Sequence, residues 1–199
     1  MLVQEVMTAP VVTVPYTATV RQAIRLLYER NITAAPVVDA HERMVGIVSE
    51  MDLLRDEFEA DPRAFARPIP DPAVMPPRRV AELMTRRVMT VRETADVAEL
   101  AELMMSTGVK SVPVVRGTRL VGIVSRRDLM AVLARSDERI RDDVAQALTE
   151  YDRGDSPWGV TVHDGIVELD GSADIATEHI ADVIVRTVPG VVRVVHRVG

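Results

Sequence analysis

The chain has 199 residues, 47% of them apolar and 3% aromatic, with a net charge of −6 and no cysteine. That composition excludes wholesale disorder, disulfides and thiolate metal sites; it predicts one large or two small cores of Val, Leu, Ile, Met and Ala, and it fits a reducing compartment. No run of 18 apolar residues occurs, and Met1 to Val6 lack the basic start of a signal peptide, so a soluble, cytoplasmic chain is expected.

The elements follow in chain order. Val11 to Val14 predicts a short strand. Thr19 is placed to cap a helix over Val20 to Arg30, in which Val20, Ala23, Ile24 and Leu27 share one face. Pro36 to Val38 and Val45 to Val48 read as strands joined by the polar turn Ala40 to Arg43, so they are expected to pair antiparallel. A helix from Glu50 closes this first unit. Asp61 to Arg79 then carries prolines at 62, 68, 70, 72, 76 and 77, which forbid a continuing helix and predict an irregular connection.

The second unit repeats the first. Val6-Met7-Thr8 matches Leu83-Met84-Thr85, and Asn31 to Val38 matches Gly108 to Val115, both at an offset of 77 residues. Gly46-Ile47-Val48-Ser49 matches Gly122-Ile123-Val124-Ser125 at 76, so one residue is lost in the hairpin. Strands are predicted over 88–91, 112–115 and 120–124. Helices are predicted through Val97, Leu100, Ala101 and Met104, and from Arg126. Each copy reads β-α-β-β-α.

From Ser136 onward the pattern changes. Ile140, Val144 and Leu148 predict an amphipathic helix over Asp137 to Tyr151. A loop over 152–158 follows. Gly159 to Val162 and Ile166 to Leu169 predict a hairpin through His163-Asp164-Gly165. Asp174 is placed to cap a second helix, which Pro189-Gly190 stops before a last strand over Val191 to Val195. The order is α-β-β-α-β, with two helices expected on one face of a small mixed sheet. Residues 136–199 hold six Arg against thirteen Asp and Glu, net −7, while the first 135 hold 18 basic against 17 acidic groups. Such an acidic region argues against nucleic acid as a partner.

The chemistry-bearing stretch is Ser-x-x-Asp, present twice, as Ser49 to Asp52 and Ser125 to Asp128, each after a β-branched run. One reading is a capping box that only stabilises a helix start. The other uses the same geometry for binding. Unpaired helix N–H groups suit a phosphate, and a carboxylate one turn in suits the two hydroxyls of a ribose. The copies differ here: Glu50-Met51 follows Ser49, and Arg126-Arg127 follows Ser125. Lys110, the single lysine, stands where copy one has Thr33. Arginine binds phosphate bidentately, so the second copy is expected to favour a polyphosphate end, unless both arginines are solvated surface charges.

The four histidines, His41, His163, His179 and His196, are at no metal-ligand spacing. No nucleophile elbow, Walker loop or dinucleotide turn is present, so no catalytic or metal role is assigned.

The duplicated unit resembles the CBS domain, named after cystathionine β-synthase and found in tandem pairs. Residues 136–199 resemble a BON domain, through Val162-x-x-Gly165-x-Val167-x-Leu169-x-Gly171 and Val188-Pro189-Gly190-Val191. The expected fold is α+β: CBS units at 1–60 and 80–135 forming a pseudo-symmetric pair, a Pro-rich linker at 61–79, and a BON unit at 136–199. The CBS resemblance implies a non-catalytic regulatory sensor whose clefts bind AMP, ADP, ATP or S-adenosylmethionine, with Mg as an optional companion of the nucleotide. By position, Asp52 and Asp128 would hold ribose hydroxyls and Ser49 and Ser125 would sit by the phosphates. Thr13 and Thr90, Ile32, Thr33 and Ala34, and Val109, Lys110 and Ser111 would line the clefts. Whether each cleft is built within one copy or across both is left open by the sequence. A homodimer is implied through the helices after Ser49 and Ser125. The BON resemblance implies a protein partner or a phospholipid surface, and the net −7 argues against anionic lipid. A CBS pair serving only as a dimerisation scaffold, beside an envelope-associated BON unit, is the alternative.

Overall fold

The computed structural model describes residues 1–55, 78–151, 158–171 and 175–197. The expected loop at 152–158, most of the linker at 61–79 and the Asp174 cap therefore fall largely or wholly outside the described residues.

The first copy contains β1 (Val14–Pro15), α1 (Val20–Arg30), β2 (Ala34–Val38), β3 (Met44–Ser49) and α2 (Glu50–Leu54). The second contains α3 (Val80–Leu83), β4 (Val91–Arg92), α4 (Val97–Thr107), β5 (Ser111–Arg116), β6 (Arg119–Ser125) and α5 (Arg126–Leu133). The last region contains α6 (Asp137–Tyr151), β7 (Gly159–His163), β8 (Ile166–Asp170), α7 (Ile175–Thr187) and β9 (Arg193–Arg197). The sheets run β1-β2-β3, β4-β5-β6 and β7-β8-β9.

Helix α1 has the predicted bounds because its ends are marked locally. Thr19 and Gln22 form a capping box, and Asn31 closes the helix with φ of 51°. The first strand of each copy is shorter than predicted, and proline is the reason. Val14 pairs with Val37 in parallel, which sets Thr13 opposite Pro36. Ile47, the antiparallel partner of Pro36, turns its own N–H and C=O to Thr85 on the far side. The backbone of Pro36 therefore faces β1 without an N–H to give, and the ladder cannot extend back to Val11. Val91 pairs with Val114, so Thr90 meets Pro113 in the same way.

Two short helical turns were not predicted: a 3-10 turn over Val3–Glu5 and α3. They belong to leading segments that the copies exchange. The segment before copy two lies along the start of α1, with Val20 N–H donating to Arg78 C=O and Val80 N–H to Ala18 C=O, both at 3.0 Å. The segment before copy one lies along the start of α4, with Val97 N–H donating to Met1 C=O at 3.1 Å and Val3 N–H to Ala95 C=O at 2.9 Å. Accordingly the chain divides into compact units that cut across the copies. One joins Met1–Thr8, Glu93–Lys110 and Val124–Gly199; the other joins Ala9–Arg92 and Ser111–Ile123.

In the second of these units, Val14, Val20, Ala23, Leu27, Val37, Val48 and Leu53 form a core that Val80 and Met84 of the exchanged segment complete. Gly46 is required there, because a Cβ would lie 2.7 Å from Met84 Sδ and 3.0 Å from Thr85 O.

The last region has the predicted α-β-β-α-β order, with β7 antiparallel and β9 parallel to β8. Ile140, Val144, Leu148, Val167, Leu169, Ala181 and Val185 form its core. Asp164 and Gly165 turn the hairpin with φ of 50° and 73°. The Asp137 carboxylate accepts both turn amides, from Asp164 at 2.8 Å and Gly165 at 2.9 Å. Those two bonds hold its pKa below the usual carboxylate range.

Candidate functional site

Both Ser-x-x-Asp stretches are capping boxes. Ser49 and Ser125 are N-caps with extended backbone, and each accepts from the amide of its aspartate. Asp52 Oδ2 accepts from Ser49 N–H at 2.9 Å and Ser49 Oγ–H at 2.7 Å. Asp128 Oδ2 accepts from Ser125 N–H at 2.7 Å and Ser125 Oγ–H at 2.6 Å. Capping consumes one oxygen of each carboxylate.

The other oxygen distinguishes the copies. Asp128 Oδ1 accepts the Thr8 hydroxyl at 3.3 Å. Asp52 Oδ1 has no hydrogen-bond partner among the described residues. Thr8 arrives on the leading segment of copy one. The corresponding Thr85 lies against copy one, its N–H and C=O paired with Ile47 at 2.9 and 3.0 Å. Thr8 thus meets the start of α5, and Thr85 meets β3 two residues before Ser49, each on the other copy's leading segment. The Met-Thr repeat is visible in the sequence, but this placement is not. The repeat offset was the available signal, but it says nothing about which copy an arm packs on.

Strand register brings several candidates together. Ala34 stands opposite Ser49, and Glu50 N–H donates to Thr33 C=O at 2.9 Å. Ile32, Thr33 and Ala34 therefore sit beside Ser49 and Asp52. In the second copy Arg126 N–H donates to Lys110 C=O at 3.0 Å, which sets Val109 and Lys110 beside Ser125. Ser111 is a buried polar residue at the start of β5. Thr90 is exposed before β4. Thr13 lines a cleft at the hairpins, with His41 and Leu120.

The paired arginines have different situations. Arg126 donates to the carbonyls of Val109 at 3.2 Å and Met104 at 3.3 Å, so its guanidinium closes the C-terminal end of α4. Arg127 and Lys110 are exposed and have no side-chain partner among the described residues. Beside α2, an apolar groove of about 280 Å³ includes Ile32, Thr33 and Glu50 but neither Ser49 nor Asp52. It opens between α1 and α2, on the helical side. Among the described residues no cluster of His, Asp or Glu could hold a metal ion, and no helix is long and apolar enough to cross a membrane.

This geometry has a match among known proteins. The CBS domain family model matches residues 3–58 and 80–135. The chain belongs to the CBS domain family. The CBS pair is similar to protein MJ1404 of Methanocaldococcus jannaschii, at 32% identity over 135 residues, which is 66% of this chain and 32% of the relative. The chain thus spans about a third of that relative's length. Among solved structures, it is similar to the CBS domain pair of protein MJ0100 in complex with 5′-methylthioadenosine and S-adenosyl-L-methionine. There the TM-score is 0.53 at 28% identity, covering 66% of this chain and 94% of that one. CBSX2 in complex with AMP is similar at a TM-score of 0.53 and 27% identity, covering 65% and 93%.

Proposed function

We propose that the CBS pair is a non-catalytic, regulatory binding module for an adenosyl ligand, and that the last region carries its output. The observation that supports this most is the pair of half-used carboxylates. Asp52 and Asp128 each keep an oxygen beyond the capping box, next to the strand ends at Ala34 and Lys110. The ligands of the similar structures, S-adenosylmethionine, 5′-methylthioadenosine and AMP, share a ribose that such a carboxylate suits. Asp52 presents its oxygen open, whereas at Asp128 a ribose must displace Thr8. A polyphosphate, with or without Mg, is better served beside Ser125, where Arg127 and Lys110 supply positive charge and copy one has Glu50 and Thr33.

The output runs through α5. This helix starts at Ser125 and Asp128 and ends next to Arg135, whose guanidinium donates to Pro189 C=O at 2.9 Å and pairs with Asp143. A ligand with different affinities for two placements of α5 shifts what the last region presents. The α-β-β-α-β order of that region supports a BON-like interaction unit, with a protein partner favoured over anionic lipid by its net charge. Exposed Met51 and Leu54 on α2, and Met130 and Leu133 on α5, support a homodimer through these helices. The absence of cysteine fits a cytoplasmic setting.

The test is a thermal-shift and calorimetric panel of S-adenosylmethionine, 5′-methylthioadenosine, AMP, ADP and ATP on the whole chain. A ligand of this set is expected to raise Tm, and Asp52→Ala with Asp128→Ala to abolish the rise. No response to any of them overturns the sensor function and leaves a dimerisation scaffold.

A further inference from the structure

The two β-hairpins share a cleft of about 750 Å³ that contains neither Ser-x-x-Asp site. Its position follows from the repeat. Arg43 leads into Met44-Val45-Gly46 and Arg119 into Leu120-Val121-Gly122, so they are the same position of the two copies, 76 residues apart. The fold brings both to one cleft, together with Arg116 and His41. Pro10, Val11 and Leu120 supply apolar wall, and Thr13 and Thr118 supply hydroxyls. One carboxylate, that of Glu42, also lines it.

The arginines are held differently. Asp39 accepts from Arg43 Nε at 3.0 Å and also takes the His41 and Arg43 amides at 2.8 and 3.0 Å. With the Arg43 Nη2–Asp39 ion pair at 2.8 Å, this fixes the first hairpin. Arg119 is exposed, and its side chain has no hydrogen bond or ion pair among the described residues. A guanidinium paired with Asp39 and one without a side-chain partner thus line the same cleft, which is large enough for a small molecule. Guanidinium forks bind phosphate bidentately, and two of them favour a ligand with more than one phosphate group.

We propose that this inter-hairpin cleft is a second, separate site for a small polyphosphate ligand, held between Arg43 and Arg119. Occupancy bridges equivalent positions of the two copies and fixes the spacing of their hairpins. Ribose binding by Asp52 or Asp128 plays no part in it, so either site can be lost without the other.

Inorganic triphosphate is the probe, titrated calorimetrically into the full chain at low and high salt. Wild type is expected to bind it, more weakly as salt rises. Arg119→Glu is expected to lower the affinity by about tenfold or more, and Arg119→Ala by less, since reversal adds repulsion to the lost contact. Asp52→Ala with Asp128→Ala is expected to bind triphosphate like wild type. Arg119 has no partner among the described residues, so its variants should keep the wild-type circular dichroism and Tm. The proposal is overturned if wild type does not bind triphosphate, if Arg119→Glu binds as wild type does, or if only the aspartate variants lose binding.

Discussion

Arg135, just beyond α5, donates a 2.9 Å hydrogen bond to the carbonyl of Pro189, where α7 has ended. Its guanidinium also pairs with Asp143 on α6, and only 19% of its side chain is exposed. Beside this clasp Gly190 adopts φ of +98°, where a Cβ would lie 2.9 Å from Ile140. Removing Arg135 leaves a carbonyl and a carboxylate without their donor. Arg135→Ala is expected to cost about 1–3 kcal/mol, read by urea unfolding. It should also raise amide exchange in α6 and α7. If ligand binding at Asp128 alters exchange in α7, this variant should lose that response and keep the binding.

Arg126 and Arg127 are neighbours with separate tasks. Arg126 closes the end of α4, so Arg126→Ala is expected to lower stability by about 1 kcal/mol. Arg127 has no partner among the described residues, so Arg127→Ala should leave Tm unchanged and weaken ATP more than S-adenosylmethionine, which lacks phosphate. Calorimetry on the two single variants separates them. A loss of ATP affinity confined to Arg126→Ala would reverse the assignment.

Gly46 lets the exchanged segment lie flat on β3. In Gly46→Ala the new methyl meets the Thr85 carbonyl at 3.0 Å, and backbone cannot step aside as a side chain can. A cost of about 1–3 kcal/mol is expected in denaturant unfolding. Met84→Ala removes the Sδ contact but not the carbonyl, so the cost of Gly46→Ala should shrink only in part when it is measured in the Met84→Ala background.

Asp137 gives the last region a pH signature. Amides of Gly165 and Asp164 hold its folded pKa below the ordinary 3.8. Its contribution is complete above that ordinary value and disappears as pH falls through the lower, folded one. Wild type should therefore exceed Asp137→Ala in stability between pH 5 and 7, by an amount that shrinks below about pH 4. Unfolding curves of both proteins across that range check the sign. A difference that grows toward acid would contradict the two hydrogen bonds.

The sequence by itself determined each element that has a local cause. Thr19, Gln22 and Asn31 bound α1; Asp164-Gly165 makes the last hairpin; the 77-residue offset declares a duplicated unit. The capping boxes at Ser49 and Ser125 were equally legible, because their partners lie three residues away. Only the tertiary structure decided which copy each leading segment packs on, and so that Thr8 reaches Asp128 and Thr85 lies on Ile47. It also turned Arg126 toward α4 and brought Arg43 and Arg119, identical in the repeat, to one cleft. Local pattern records what a residue does to its own helix or strand. Which surfaces meet is set by burial summed over distant residues, and two copies of one pattern offer the leading arm two similar docking places that composition cannot tell apart.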